Sequence, residues 1–229
     1  MQIKHNMGKR KLFTAGCSVS TKNDGTTSYP VELAKLLGYE LVDLSAGCGS
    51  NQRMWRMITK HIMDGNLTSE DILTIQYTEV LRFEFYSKFP RAGEITMEDS
   101  YDDGKLIRYK FYSDTWQHTK EETKFFKLFE ENHINESYCL ELFETNNFNF
   151  QYMLDAHKIK TIFIVTPRMN NRLKWYISDR IKPYIYYDYS SKQVEYNQTL
   201  TDGVHFSDLG HKVMAENLYN HILNLKLNE

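Results

Sequence analysis

Short apolar runs alternate regularly with amphipathic helical segments between residues 11 and 77, and this alternation constrains the fold most strongly. The spacing predicts strands over 11–15, 40–44 and 71–77, joined by helices over 29–37 and 52–63. The third run is apolar on both faces, which is typical of a strand covered by helices on both sides. Strands joined in this way favour a parallel sheet with right-handed crossovers.

The second half of the chain first interrupts this rhythm and then resumes it. An Asp-Gly turn at 103–104 predicts a β-hairpin between 95–98 and 106–112, within an insertion over approximately 84–117 at the carboxyl edge of the sheet. The remaining pattern predicts helices over 118–133, 137–157, 172–181 and 208–225, and strands over 160–165 and 184–187. Residues 1–229 are therefore expected to form a single domain, which the length also favours.

Composition narrows the class of protein. The hydrophobic fraction is 41%, the charged fraction 25% and the net charge −2, so no general attraction to nucleic acid or to a membrane is expected. The basic N-terminus precedes an apolar run too short for a signal peptide or a membrane span, which predicts a cytoplasmic protein or a virion component exported without a signal peptide. Three cysteines without a CxxC motif argue against a disulfide framework or a zinc site. The sequence gives no indication of the oligomeric state.

Polar residues follow the predicted strands at the edge where ligands bind in open parallel sheets. Ser18 follows the first strand, residues 47–51 follow the second and Thr78 follows the third. Asp202 and His205 lie three residues apart ahead of the last helix. A carboxylate beside an imidazole fixes the tautomer that leaves the other ring nitrogen basic, so this pair is suited to proton transfer.

These motifs carry a family resemblance that covers residues 11–222 in order and spacing. The sequence resembles the four conserved blocks of the SGNH hydrolases, the GDSL-like esterases and lipases, at Gly16-Cys17-Ser18, Gly47-Cys48-Gly49-Ser50-Asn51, Thr78, and Asp202-Gly203-Val204-His205 with Gly210. Together with the alternating pattern, the resemblance implies a three-layer α/β/α sandwich. Its parallel sheet would have five strands in flavodoxin-like order.

The resemblance also implies a serine esterase without a cofactor. Ser18 would be the nucleophile, His205 its general base and Asp202 the group that orients His205. Cys17 is expected to pack behind the strand end. The favoured substrate is a small acyl ester, such as O-acetyl on a carbohydrate, because the insertion is polar and aromatic. A catalytically weak relative that binds glycan or protein, and an acyltransferase that uses the same triad, are the alternatives.

In this family, backbone and side-chain donors form an oxyanion hole. The resemblance assigns these donors to the N–H of Ser18, the N–H of Cys48 or Gly49, and a third group in the block of Thr78. Thr78 stands where the family usually has asparagine. Its hydroxyl can donate one hydrogen bond, and Asn51 is an alternative third donor.

Several other residues have two interpretations. Arg82 could bind an anionic or hydroxyl-rich substrate, or form an ion pair with Glu79 or Glu84. Trp116 could stack on a sugar ring or pack in the core, and Trp55 is expected in the core.

A metal site formed by Asp202, His205, Asp208 and His211 is not expected. Asp208 falls at the start of the predicted last helix, where acids are favoured for helix stability, and His211 falls within the helix. The sequence also has no glycine-rich phosphate loop, so nucleotide chemistry is not predicted.

Overall fold

The structure is a computed structural model that describes residues 9–21, 26–47, 49–87, 100–101, 104–110, 120–165, 186–188 and 205–228. Its strands are β1 (Lys11–Ala15), β2 (Glu40–Asp43), β3 (Ile72–Gln76), β4 (Arg82–Ser87), β5 (Ser100–Tyr101), β6 (Gly104–Lys110), β7 (Lys160–Val165) and β8 (Tyr186–Asp188). Its helices are α1 (Tyr29–Leu37), α2 (Asn51–Met63), α3 (Lys120–His133), α4 (Glu136–Ala156) and α5 (Asp208–Asn224).

The main sheet has five strands in the order β2-β1-β3-β7-β8, and every neighbouring pair is parallel. This is the predicted flavodoxin-like order. Ala15 of β1 pairs with Ile75 of β3, so these two central strands end at the same level. The loops that follow them therefore leave the sheet side by side.

Strand alternation builds the three layers. Leu12 and Ile72 face one side of the sheet, where they pack with apolar residues of α1 and α5. Phe13 and Leu73, one residue further along, face the other side and pack with residues of α2 and α4. All five residues of β3 are buried, as predicted for a strand covered on both faces. The predicted α/β/α sandwich is thus confirmed.

A second sheet of three antiparallel strands, in the order β4-β6-β5, lies beyond β3 in the chain. The predicted hairpin is present in part as β5 and β6, while its predicted first strand at 95–98 lies outside the described residues. No strand was predicted for β4, which pairs with β6 from Arg82↔Lys110 to Ser87↔Lys105. Apolar and charged residues alternate from Leu81 to Phe85, which is a period-two pattern typical of a strand, so the signal was present but was not interpreted as one.

Local capping determines several helix boundaries. The Ser50 hydroxyl accepts the N–H of Arg53, so α2 begins at Asn51, one residue earlier than predicted. Gly38 ends α1 in the left-handed conformation at φ 71°, which favours glycine.

Strand β8 is shifted from the predicted 184–187, and the predicted helix at 172–181 lies outside the described residues. Within the described ranges, no helix has the length and apolar character needed to cross a membrane.

Candidate active site

The candidate nucleophile lies in a tight turn directly after β1. Gly16 and Cys17 lead into a single 3-10 turn over Ser18–Ser20, in which the Ser20 N–H donates to the Cys17 carbonyl at 2.9 Å. A Cβ atom on Gly16 would lie 2.8 Å from the Ser20 Cβ, so the close approach within this turn requires glycine. Ser18 is thereby held at the carboxyl end of the sheet. The Cys17 side chain is buried, as expected.

His205 reaches this turn from the other end of the chain. Its Nε2 lies 2.9 Å from the Ser18 Oγ, although 187 positions separate the two residues in sequence. That distance allows an unprotonated Nε2 to accept the hydroxyl proton of Ser18. Both side chains are partly exposed, so a substrate could reach them. Asp202, which is predicted to orient His205, lies outside the described residues.

Hydrogen bonds at the start of α5 fix the segment that carries His205. The Ser207 hydroxyl caps the helix by accepting the Gly210 N–H at 3.2 Å. The Asp208 carboxylate accepts the Thr26 hydroxyl at 2.7 Å and the backbone N–H groups of Thr26 and Thr27. The Thr26 hydroxyl, followed by these backbone donors, holds the pKa of Asp208 below its usual value. Asp208 therefore ties the start of α5 to the loop before α1.

His211 has a structural role, because it forms a hydrogen bond between two helices. Its Nδ1 accepts the backbone N–H of Tyr29 at 3.1 Å, which joins α5 to the first residue of α1. Its side chain is almost fully buried, and burial lowers the pKa of His211 to about 4. The hydrogen bond requires an unprotonated Nδ1, so the neutral imidazole is the form that fits this site.

The stability of the protein should consequently fall on acidification from about pH 6.5. An unfolded histidine takes up a proton near that pH, whereas folded His211 does so only near pH 4, so protons favour unfolding between the two values. Between pH 7 and pH 5 the loss from this group should be on the order of 2 kcal/mol. Urea denaturation at both pH values would measure it. His211→Asn offers an oxygen near the Nδ1 position and should flatten the dependence, and an equal pH dependence in that variant would contradict the assignment.

The loop after β2 packs directly against the nucleophile turn. The Ala46 N–H donates to the Gly16 carbonyl at 3.1 Å, and a Cβ atom on Gly49 would lie 3.0 Å from that same carbonyl oxygen. The Gly49 N–H donates to the Ala46 carbonyl at 2.9 Å. If the Gly49 N–H were to donate to an oxyanion, it would have to give up its hydrogen bond to the Ala46 carbonyl. Cys48, the alternative donor in this loop, lies outside the described residues.

Asn51 and Thr78 form a buried reciprocal pair beside this loop. The Asn51 side-chain NH2 donates to the Thr78 carbonyl at 2.8 Å, and its Oδ1 accepts the Thr78 N–H at 2.9 Å. This pair joins the end of the β3 segment to the first residue of α2. The second amide hydrogen of Asn51 and the hydroxyl of Thr78 are the groups that could donate to an oxyanion. Ser18 and Thr78 each lie three residues beyond the paired residues Ala15 and Ile75.

A buried polar network, which the sequence analysis did not identify, supports the turn from behind. The Ser20 hydroxyl donates to the Gln76 Oε1 and lies 3.3 Å from the Tyr29 hydroxyl. All three side chains are fully buried, and burial raises the pKa of Tyr29, which keeps its hydroxyl neutral. The sequence feature that could have indicated this network is the polar Gln76 at the end of an otherwise apolar strand. The network attaches the turn that carries Ser18 to β3.

The structure also locates Arg82, for which the sequence left two interpretations, and Trp55, which was expected in the core. Arg82 Nε lies 3.8 Å from the Glu79 carboxylate, whereas Glu84 forms a two-point ion pair with Arg56 at 2.9 Å for each contact. Trp55 packs against the Phe143 ring, with centroids 5.6 Å apart, so it belongs to the core as expected. Trp116 lies outside the described residues.

Comparison with solved structures identifies the fold. A protein from Desulfitobacterium hafniense, described as lipolytic and of the G-D-S-L family, matches with a TM-score of 0.53 at 12% identity, over 93% of this chain and 99% of its own. A Bacteroides fragilis protein assigned as an acylhydrolase matches at 0.50 and 15% identity, over 97% of this chain and 92% of its own. The YXIM protein of Bacillus subtilis matches at 0.52 and 10% identity, over 96% of this chain but only 57% of its own. At these identities the likeness establishes the fold alone.

Sequence comparison adds a family. No curated protein matches the chain. The sequence model of DUF6071, described as a family of unknown function, matches residues 19–227. The chain therefore belongs to DUF6071, a family of unknown function, and its three-layer core has the fold of the SGNH hydrolases.

Proposed function

We propose that this protein is a serine esterase that hydrolyses small acyl esters, with O-acetyl groups on carbohydrate as the favoured substrates. The observation that carries the proposal is the 2.9 Å contact between the Ser18 Oγ and the His205 Nε2 at the carboxyl edge of an SGNH-type sheet. The lipolytic and acylhydrolase descriptions of two structural neighbours agree with this chemistry. The polar and aromatic insertion favours a carbohydrate over a long acyl chain.

In the proposed first half-reaction, Ser18 becomes acylated. The Ser18 Oγ attacks the ester carbonyl carbon while the His205 Nε2 takes the hydroxyl proton. The carbonyl oxygen becomes an oxyanion in the tetrahedral intermediate, stabilised by the backbone N–H of Ser18 and by donors from Cys48 or Gly49 and from Thr78 or Asn51. His205 then gives its proton to the alkoxide of the departing alcohol as the bond to the acyl carbon breaks.

The second half-reaction regenerates the enzyme. His205 takes a proton from a water molecule, whose oxygen attacks the acyl carbon bound to Ser18. The second tetrahedral intermediate collapses, the Ser18 oxygen recovers the proton from His205, and the carboxylic acid is released. Asp202 is proposed to hold His205 in the tautomer that leaves Nε2 basic. These steps balance without a cofactor.

A second candidate function is a binding protein that has lost most of its activity. Thr78 replaces the usual asparagine donor, and the Gly49 N–H is already bonded to the Ala46 carbonyl. Loss of one oxyanion donor typically costs about 3 kcal/mol, or on the order of a hundredfold in rate.

Turnover of p-nitrophenyl acetate separates the candidates. An esterase should release p-nitrophenol at a rate proportional to protein concentration, while heat-denatured protein should not. Released acetate, with no acetylated sugar when glucose or xylose is added as a competing acceptor, would support hydrolysis over acyl transfer. A protein that is inert toward both this ester and acetylated sugars would contradict the proposal and favour the binding function.

A further inference from the structure

Arg82 is a buried cation whose hydrogen-bonding capacity is largely unused. Its side chain is 8% exposed, and its Nε and Nη1 atoms have no hydrogen-bond partner in the described part of the chain. Glu79 provides the nearby carboxylate, but its Oε2 lies 3.8 Å from the Arg82 Nε, beyond hydrogen-bonding distance. Buried donors without acceptors are costly, so a ligand that offered an acceptor to these two nitrogens would be bound favourably.

The position of Arg82 places these donors beside α2. Arg82 is the first residue of β4 and shares a strand face with Glu84, two residues further on. The Glu84 carboxylate binds Arg56 of α2, and its backbone N–H lies 3.4 Å from the Gln52 Oε1. This face of β4 is therefore directed toward α2.

The segment from Thr78 to Arg82 connects this cation to the candidate active site. Thr78 is bound to Asn51, the first residue of α2, and Glu84 is bound to the next turn of the same helix. The chain from Thr78 to Glu84 is thus held at both ends against the first two turns of α2. That helix follows the loop that packs on the turn of Ser18.

The N-terminus of α2 contributes a partial positive charge to this position. Helix α2 has 13 residues and no acidic residue in its first turn, so the partial positive charge of its N-terminus is not offset there. The guanidinium of Arg82 adds a full charge, opposed by the Glu79 carboxylate at 3.8 Å. Arginine is well suited to this role because its planar donors bind the two oxygens of a carboxylate or phosphate.

We propose that Arg82 binds an oxyanion carried by the substrate, so that the preferred ester is that of an acidic carbohydrate. This inference rests on the proposed esterase function and narrows its substrate class. A uronic acid carboxylate and a sugar phosphate share the required chemistry. The anion would lie beside the N-terminus of α2, with the scissile ester directed toward Ser18.

Matched substrates test the proposal. The assay compares kcat/KM for acetylated methyl glucoside, acetylated methyl glucuronide and acetylated methyl glucoside 6-phosphate. The wild type should favour one or both anionic esters by about 10- to 100-fold, the effect of one charged hydrogen-bonding contact. Arg82→Gln should abolish that preference, with a loss of kcat/KM on the anionic esters that is at least tenfold larger than any loss on the neutral ester. The two anionic substrates distinguish a carboxylate from a phosphate.

Two further variants serve as controls. Lys60→Gln removes a positive charge from an exposed side chain of α2 and should keep the preference. Glu79→Gln removes the opposing carboxylate and should retain or increase it. Equal rates on neutral and anionic esters in the wild type would overturn the proposal. An Arg82→Gln variant in which all three rates fall together would assign Arg82 a structural role and overturn it too.

Thermal melting of the wild-type protein separates this inference from the esterase proposal, and it requires no variant. Methyl glucuronide or inorganic phosphate should raise the wild-type Tm at constant ionic strength, and methyl glucoside should not. Stabilisation by an anion without ester turnover would contradict only the esterase. Turnover of p-nitrophenyl acetate with no stabilisation by either anion would contradict only the anion site.

Discussion

Replacing either Ser18 or His205 with alanine should lower kcat/KM for p-nitrophenyl acetate by about 1,000-fold or more. Ser18→Ala removes the proposed nucleophile, and His205→Ala removes the base that lies 2.9 Å from it. The two groups are proposed to act as a unit. The kcat/KM of the double variant should therefore be about the same as that of the less active single variant. Initial rates with purified proteins at pH 7.5 would measure all three.

Matched controls come from exposed positions on and beside α4. Ser137→Ala and His157→Ala make the same chemical changes away from the candidate site and should retain wild-type rates. Cys17→Ala tests the neighbouring thiol, which is buried and should not be required for acylation. A Ser18→Ala protein that keeps a tenth or more of the activity would contradict Ser18 as the nucleophile.

Asn51→Ala should lower the free energy of unfolding by about 2–4 kcal/mol. The substitution removes the acceptor for the Thr78 N–H and the donor to the Thr78 carbonyl, and it leaves both backbone groups in a buried site. Each unsatisfied buried group of this kind costs about 1–3 kcal/mol. The activity should fall as well, because the pair joins the β3 segment to the start of α2 beside the candidate oxyanion donors.

Urea denaturation at pH 7.5 would measure this effect. Asn66→Ala changes an exposed asparagine just after α2 and should remain within about 0.5 kcal/mol of the wild type. If Asn51→Ala were as stable as the wild type, the reciprocal bonds to Thr78 would not contribute to stability as described.

The main sheet was predictable because its signals are local. The apolar runs at 11–15 and 71–77, with helical spacing between them, indicated the central strands and the two faces that they bury. Strand β4 also carried a local signal, the alternation of apolar and charged residues from Leu81 to Phe85, which was not interpreted as a strand. The sequence did not indicate that this strand pairs with β6, which lies about twenty residues further along the chain.

The candidate site was predictable only where the sequence carries a motif. Glycine-linked Ser18 and the histidine before the last helix follow a family pattern, and the structure brings these two side chains together. No sequence motif indicates the hydrogen bonds that surround these two side chains. The bonds of Asn51 to Thr78 and of Ser20 to Gln76 join residues 27 and 56 positions apart, so they depend on the parallel arrangement of the strands.

The most direct test of the proposed esterase function is the covalent trapping of Ser18, the proposed nucleophile. The protein would be treated with a fluorophosphonate, and the modified residue would be located by peptide mass spectrometry. We expect one phosphonyl adduct, on Ser18, which is lost in His205→Ala because the hydroxyl then lacks its base. An adduct on another residue, or an unmodified Ser18 in a folded protein that hydrolyses esters, would contradict the assignment of Ser18 as the catalytic nucleophile.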